Sequence, residues 1–395
     1  MTNISREIQN KFKELAKYVS ASKGEVVIYG GGQVGRKMYS ILIAMGYKIK
    51  AVLDKNPAWD GCYYDTPIIH PDNYSNFNAA IIICVHTEFD SVLTRLTKRG
   101  FHKLLPYFFY LLDENIYNED AYYNHYSKKW SLLPAPTGVL FSIDIPVTMK
   151  CSIKCRDCAN LMQYFRHPQN ADFNQTISAL GNLLSALDKC EEIRILGGEP
   201  FCNPEVYKYI EALDNFKGKF EWIIVLTNGT ILPNKRTLES FKGRKLFVRI
   251  SDYDLAQNKI EDLTGLLDKN GVLYSVTKWD AWQDCGILKN YSRTTAENRI
   301  ILDECCVNNT PSIVDGKLFR CPYSGNMYAL FGKNLIPHEF VDLLDPCIQD
   351  TLAEKINTFM SKKNLNACNF CGGRPLDGYS IPAAVQTSEP LAYSI

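Results

Sequence analysis

The sequence predicts an α/β protein of more than one domain: a small doubly wound Rossmann-like sheet, then a strand-helix partial barrel, then a short cysteine-bearing lobe. Three observations predict it. Strand-like and helix-like segments alternate from residue 25; the alternation lapses at 113–136 and resumes at 137; and most of the 14 cysteines gather in two groups beyond residue 150. At 395 residues the chain exceeds one comfortable hydrophobic core. The expected division is 1–125, a linker at 126–136, a barrel at 137–300, a small lobe at 301–380 and a tail at 381–395.

Composition narrows the class. Apolar residues make up 46%, and 44 basic against 43 acidic side chains leave a net charge of +1, so nothing asks for a nucleic acid partner. The 23 Tyr and 19 Phe form no basic and aromatic stripe. The opening MTNISREIQNKFKELAKYVS spaces Ile4, Ile8, Phe12, Leu15 and Val19 along one helix face and lacks a signal peptide's apolar centre. No apolar run reaches membrane-spanning length, and AAIIICV at 79–85 is strand-sized. The expectation is a cytoplasmic protein, where clustered cysteines point to metal or redox chemistry rather than to a disulfide framework.

The first domain opens on GEVVIYGGGQVGRKMYSILIAMGYKIKAVLDKNP, read as strand, glycine turn, helix and second strand. Val26 to Ile28 form the first strand, Met38, Ile41, Leu42 and Met45 turn the helix toward the sheet, and Ile49 to Leu53 form the second strand. TPIIHPD and AAIIICVHT supply further strands, and EFDSVLTRLTKRGF a helix. Gly30, Gly32 and Gly35 match G-x-G-x-x-G between strand and helix, where free N–H groups can meet a phosphate. Asp54 ends the second strand, where a carboxylate can accept ribose hydroxyls. The alternative use of such a turn is close helix-sheet packing in a docking domain.

The tract DENIYNEDAYYNHYSKKWSLLPAP then loses periodicity and closes on Pro134 and Pro136. GVLFSIDIPVTMKC starts the second domain as a strand running into thiols; EIRILGG, EWIIVLTNG, LFVRISDYD and VLYSVTKW follow with helices between them. Such repeats imply a parallel sheet with its active site at the C-terminal strand ends. There stands CSIKCRDC, with Cys151, Cys155 and Cys158 spaced C-x3-C-x2-C. This differs from the paired C-x2-C knuckles of structural zinc, and three thiols can ligate three irons of a cubane while leaving the fourth open.

With ILGGEP at the next strand end, these residues resemble the radical S-adenosylmethionine superfamily, over about 137–285. The resemblance implies a 4Fe-4S cluster on Cys151, Cys155 and Cys158, and S-adenosyl-L-methionine bound beside it, cleaved reductively to a radical that removes a substrate hydrogen atom. It implies that Gly197, Gly198, Glu199 and Pro200 receive the methionine amino group. LTNG, with Asn228, matches a segment common in the family; Ser251 and Asp252 fall where ribose or methionine contacts arise; Arg249 or Lys278 answers the carboxylate. Asp157 departs from the family, which places an aromatic residue near adenine there.

The second group, Cys305, Cys306 and Cys321 in DECCVNNTPSIVDGKLFRCPYSG and Cys368 and Cys371 in NACNFCGG, brackets a hairpin at Asp315-Gly316. It resembles the auxiliary-cluster lobe of twitch-type radical enzymes rather than the longer SPASM domain. The resemblance implies a second 4Fe-4S cluster on Cys321, Cys368, Cys371 and one of Cys305 and Cys306; a four-thiolate zinc site would use the same ligands.

The resemblance leaves the outcome open between epimerisation, which returns hydrogen from a donor such as Cys190, Cys202, Cys285 or the spare member of Cys305 and Cys306, and oxidation of an alcohol. The first domain resembles those attached to enzymes of bacterial surface-polysaccharide assembly, which implies a nucleotide-linked sugar or polyol substrate and a nucleotide at the first domain. A flavodoxin- or ferredoxin-type electron donor is the implied partner. Other classes are a peptide-modifying radical enzyme and a zinc-stabilised binding protein without activity.

Overall fold

The computed structural model describes residues 25–32, 47–55, 66–85, 89–106, 139–305, 307–308, 310–332, 339–374 and 379–393, with single positions at 15, 19, 35, 38, 39, 42, 43 and 63. The expected linker and most of the expected first helix lie outside the described residues, although Leu15 and Val19 are helical. The chain divides into two compact units, Met1–Leu133 and Pro134–Ile395.

In the first unit, strands β1 (Glu25–Tyr29), β2 (Lys48–Leu53), β3 (Ile68–Ile69), β4 (Ala80–Ile83) and β5 (Leu104–Pro106) pair in parallel in the order β3-β2-β1-β4-β5. This is the order of a doubly wound sheet. Val26, Val27 and Ile28, and Ile81 to Ile83, are fully buried, as expected of central parallel strands covered on both faces. Met38 and Leu42 are buried helical residues, and helix α1 (Phe89–Lys98) buries Val92 and Leu96.

The second unit carries β6 (Val139–Pro146), β7 (Lys189–Leu196), β8 (Phe220–Thr227), β9 (Leu246–Asp252) and β10 (Leu273–Lys278), all parallel. Between them run α2 (Phe173–Ala186), α3 (Val206–Ala212), α4 (Lys235–Phe241) and α5 (Ile260–Lys269). Residues alternate across a strand, and the two faces differ. Ile143, Ile145, Ile193, Ile195, Ile223, Val225, Val248 and Ile250 pack with the helices in one apolar core. The other face carries Ser142, Asp144, Glu192, Arg194, Arg249, Ser275 and Thr277, with Arg194 paired to Asp144 at 2.5 Å and Arg249 to Glu192 at 2.7 Å.

Strand β11 (Ala281–Gln283) and helix α6 (Thr295–Glu304) lead to the hairpin β12 (Ser312–Val314) and β13 (Lys317–Phe319). Asp315 and Gly316 both take positive φ, 47° and 74°, as the two-residue turn requires. The hairpin joins the barrel sheet: β12 pairs with β6, and β14 (Val341–Asp342) pairs with β13. Helices α7 (Pro322–Phe331) and α8 (Leu352–Met360) complete the lobe, and β15 (Ser380–Pro382) returns to pair antiparallel with β11. Among the described residues no helix is long and apolar enough to cross a membrane.

Candidate active site

The loop after β6 carries Cys151, Cys155 and Cys158 to the C-terminal ends of the strands, and the turn after β7 docks on it through its backbone. Gly198 N–H donates to Thr148 O at 3.0 Å and Glu199 N–H to Lys150 O at 2.9 Å. A Cβ on Gly197 would overlap the Thr148 carbonyl oxygen; one on Gly198 would overlap that of Lys150 and stand 2.7 Å from Cys151 Cβ. Both glycines are therefore required by close approach rather than by an unusual φ.

The three thiols are free and share one environment. Cys155 is 5% exposed and packs with Ile153, Ala384, Tyr253 and Trp282. Burial pushes Cys151 and Cys158 above the ordinary thiol value and Cys155 up to about 12, with neighbouring thiols adding to the rise at Cys151 and Cys155. Cluster-free, all three are neutral at pH 7, and metal binding must displace their protons. Donors face the sulfurs: Gln386 Nε2 lies 3.3 Å from Cys155 Sγ, and Asn228 Nδ2 lies 3.7 Å from Cys151 Sγ and 3.3 Å from Ser152 Oγ. Ser152 Oγ meets Thr230 Oγ1 at 2.5 Å.

Glu199 is fully buried behind this loop. It accepts from Asn228 N–H and Thr227 Oγ1, each at 2.8 Å, and from Phe201 N–H at 3.2 Å, while burial pushes its carboxyl up to about 7. It ties the turn after β7 to the end of β8. Pro200 opens a buried 3-10 turn.

Of the other cofactor candidates, Asn228 and Ser251 stand near the thiols; Ser251 hydrogen-bonds the Tyr253 phenol, whose pKa burial raises, with contributions from all three thiols. Asp252 accepts from Asp254 N–H at 2.9 Å. Arg249 is engaged by Glu192 in the sheet's polar face. Lys278 is exposed and pairs with Asp254 at 3.2 Å, on the outside of the strand end. Asp157 is buried and accepts from Arg156 Nε at 2.8 Å. The aromatic groups beside the thiols are instead Tyr253 and Trp282, ring centroids 5.3 Å apart. Neither belongs to a motif, and no sequence signal marks them.

The second group converges around a small cavity lined by Cys305, Cys321, Cys368 and Cys371, together with Ala159 and Asn160, which directly follow Cys158. Cys305 ends α6 and Cys321 is the N-cap of α7. Arg293 clamps the Cys368 and Cys371 carbonyls at 2.6 and 2.7 Å, and Gly373 N–H points at Cys371 Sγ at 3.4 Å. Cys306 lies outside the described residues. Among the remaining thiols, Cys347 is exposed, Cys190 is buried in the helix-side core at the start of β7, and Cys202 follows Pro200, its thiol raised to about 11 by burial and by Glu199. Cys285 is buried between the two groups: it acts electrostatically on Cys371, and Gly286 presses on the Asp157 backbone.

In the first unit, Gly30 takes φ +99° at the end of β1, and a Cβ on Gly35 would overlap its carbonyl oxygen. Among the described residues, none stands within 4 Å of a Cβ built on Gly32. Asp54 accepts from Gly31 N–H at 2.5 Å, so its carboxylate braces the turn.

The donor sets fit the implied groups. Three buried or half-buried thiols in one loop, with N–H donors toward two sulfurs, suit a cluster that takes one thiolate per iron; four thiols around one cavity suit a fully ligated second group. Among the described residues, no three His, Cys, Asp or Glu side chains converge on a single metal ion.

No protein-family model and no curated protein matches the chain. Among solved structures it is similar to anSMEcpe with bound AdoMet and a Cp18Cys peptide, at 19% identity over 35% of this chain and 42% of that one, TM-score 0.28. It is also similar to BtrN in complex with AdoMet and 2-DOIA, at 15% identity over 66% and 98%, TM-score 0.39. A third is Streptococcus suis SuiB bound to S-adenosylmethionine, at 15% over 73% and 83%, TM-score 0.36. The matched part spans less than half of the first structure, 42%. These are loose likenesses, and the chemistry rests on the residues themselves.

Proposed function

We propose that the protein is a radical S-adenosylmethionine enzyme that removes a hydrogen atom from a nucleotide-linked sugar or polyol and inverts a carbon centre. The observation that carries the reaction class is the side-chain-free docking of Gly197 and Gly198 against a loop of three thiols, one buried and two half-buried. When bound, a 4Fe-4S cluster with S-adenosyl-L-methionine supplies a reducing electron and the radical that abstracts hydrogen. Cys151, Cys155 and Cys158 would hold the cluster. The glycine turn would offer backbone to the methionine end, and Tyr253 and Trp282 an aromatic surface in place of the one Asp157 lacks. A flavodoxin- or ferredoxin-type protein would be the electron source.

The paired charges Asp144–Arg194 and Glu192–Arg249 on the sheet's polar face favour a hydroxyl-rich substrate over an apolar one. Cys285, buried beside the cluster loop, is the preferred hydrogen donor; Cys190 lies at the N-terminal ends of the strands, about 20 Å along β7 from the thiols. In the first unit, the glycine turn that opens at Gly30 after β1, with Asp54 at the end of β2 beside it, is the site where nucleotide binding is proposed.

A second reading, two-electron oxidation of an alcohol, draws on the four-thiol cavity directly behind Asn160, whose cluster would act as electron acceptor. Turnover in deuterium oxide separates the two. Inversion places one deuterium on the changed carbon, because an S–H exchanges with water. A product two mass units lighter, with a new carbonyl and no stable deuterium, establishes oxidation. Failure of the anaerobically reconstituted protein to cleave S-adenosylmethionine would refute both.

A further inference from the structure

The chain end beyond 379 is built into the first cysteine loop. After β15, Arg156 N–H donates to Val385 O and Thr387 N–H to Lys154 O, each at 2.7 Å, so 385–387 lies along 154–156 as an added extended segment; Leu391 N–H donates to Gln163 O at 2.8 Å. Ala384 is 3% exposed, packs on Ile153 and Cys155, and holds φ +51°, a left-handed conformation that costs about 1 kcal/mol for a residue with a Cβ and persists only where surroundings impose it.

Gln386 is the centre of this contact. Its Oε1 accepts from Lys154 N–H at 2.8 Å; its Nε2 donates to Ala384 O at 2.6 Å and points at Cys155 Sγ at 3.3 Å. The network sets the amide's orientation, since the flipped group would place oxygen against the Ala384 carbonyl and NH2 against the Lys154 N–H. The residue's outer side remains exposed.

We infer that segment 383–387 is the outer wall of the first cysteine site, and that Gln386 is a positioning residue whose N–H bond to the Cys155 sulfur shields that thiol and tunes the group it holds. This rests on the reading of Cys151, Cys155 and Cys158 as cluster ligands. An N–H donated to a ligating sulfur favours the more negative, reduced state and raises the reduction potential. The covering segment also limits access of solvent and reagents to Cys155.

The experiment uses the full chain as wild type, Gln386→Ala and Gln386→Glu. Glutamate keeps an acceptor for Lys154 N–H, and the backbone bonds of Arg156 to Val385 and of Thr387 to Lys154 still hold the segment, but it removes the donor both to the Cys155 sulfur and to Ala384 O. Cluster-free protein is treated with iodoacetamide and each cysteine followed by mass spectrometry; reconstituted protein is titrated electrochemically with the first cluster followed by electron paramagnetic resonance. Gln386→Ala should speed Cys155 alkylation roughly 2- to 10-fold, the worth of one hydrogen bond, and lower the potential. Gln386→Glu should lower the potential with a smaller change in alkylation. Wild-type Cys155 alkylation in Gln386→Ala, or a potential moved by glutamate alone, would overturn the role of Gln386. Wild-type protein that takes up no iron at Cys151, Cys155 and Cys158 would instead sink the cluster reading. The alkylation rates would still report on the wall.

Discussion

The two cysteine groups of the second unit are built in opposite ways. The first is local: three thiols within eight residues, positioned by backbone, with glycines letting one turn sit on another. The second is dispersed: Cys305 ends a helix, Cys321 caps another, and Cys368 and Cys371 bracket the end of a 3-10 turn, held by Arg293 and by Tyr323 O–H, which donates to Phe370 O at 2.8 Å. A group meant to keep one position open benefits from a short loop at the strand ends, where ligands approach. A fully ligated group closes a lobe on itself and draws its ligands from several elements. Chemistry is therefore expected to depend on the first group, and lobe stability together with substrate turnover on the second.

The largest test of that contrast exchanges thiols on each side. Replacing Cys151, Cys155 and Cys158 together by Ala should abolish reductive cleavage of S-adenosylmethionine and leave the second group's metal in place. Cys371→Ala should leave cleavage measurable, depress turnover of the true substrate, and lower the thermal midpoint by about 5 °C or more, because metal binding there contributes to folding. Iron and zinc analysis of the same samples identifies the second group's metal. Equal loss of cleavage in both variants would erase the division of labour.

A smaller effect is expected at the docking of the two turns. Gly198→Ala brings a methyl onto the Lys150 carbonyl oxygen and within 2.7 Å of Cys151 Cβ, so the thiol loop must shift. The expected cost is about 1–3 kcal/mol, with weaker S-adenosylmethionine binding and the second group's metal content unchanged. Calorimetry showing wild-type affinity would mean that the turn can withdraw without moving Cys151.

The same contrast explains what could be read before the structure. Local features were legible: the periodicity of the strands, the hairpin at Asp315-Gly316 and the C-x3-C-x2-C loop each lie within a few residues, and the Gly-Gly turn was legible as a short motif although the backbone it docks on, Thr148 and Lys150, lies far back in the chain. Long-range partners were not. Gln386 reaches Cys155 across 231 positions, Arg249 finds Glu192 across 57, and Tyr253 and Trp282 meet the thiols only through the sheet. Lys278 was a reasonable carboxylate partner by position, but strand alternation turns it outward to Asp254. Asp54 has the expected place at the end of β2, and its bond from Gly31 N–H, across 23 positions, is another pairing that spacing does not record. Composition and spacing carry no record of such pairings, because they depend on which face each strand presents.

The last expected effect, seen only as a change with pH, concerns the buried carboxylates behind the two groups. Glu199 backs the first, and Glu339 the second, where it accepts from Ala367 N–H at 2.9 Å and from Asn366 N–H. Burial raises both carboxyls, Glu199 from 4.5 to about 7. A carboxyl with a raised folded pKa contributes stability that is fully present below the unfolded value and is lost as pH rises through the folded one. For Glu199 that window runs from 4.5 to about 7, and it is worth roughly 3 kcal/mol. Gln cannot titrate, so in the cluster-free protein Glu199→Gln should remove that part of the decline in urea midpoint between about pH 5 and about pH 8. The variant starts lower at acid pH, since an amide cannot accept from Asn228 N–H and Phe201 N–H with both ends, a loss of about 1–3 kcal/mol. The gap to wild type should then shrink as pH rises. A constant gap would mean that Glu199 stays ionised in its pocket, held by its three donors, and that burial does not set its charge.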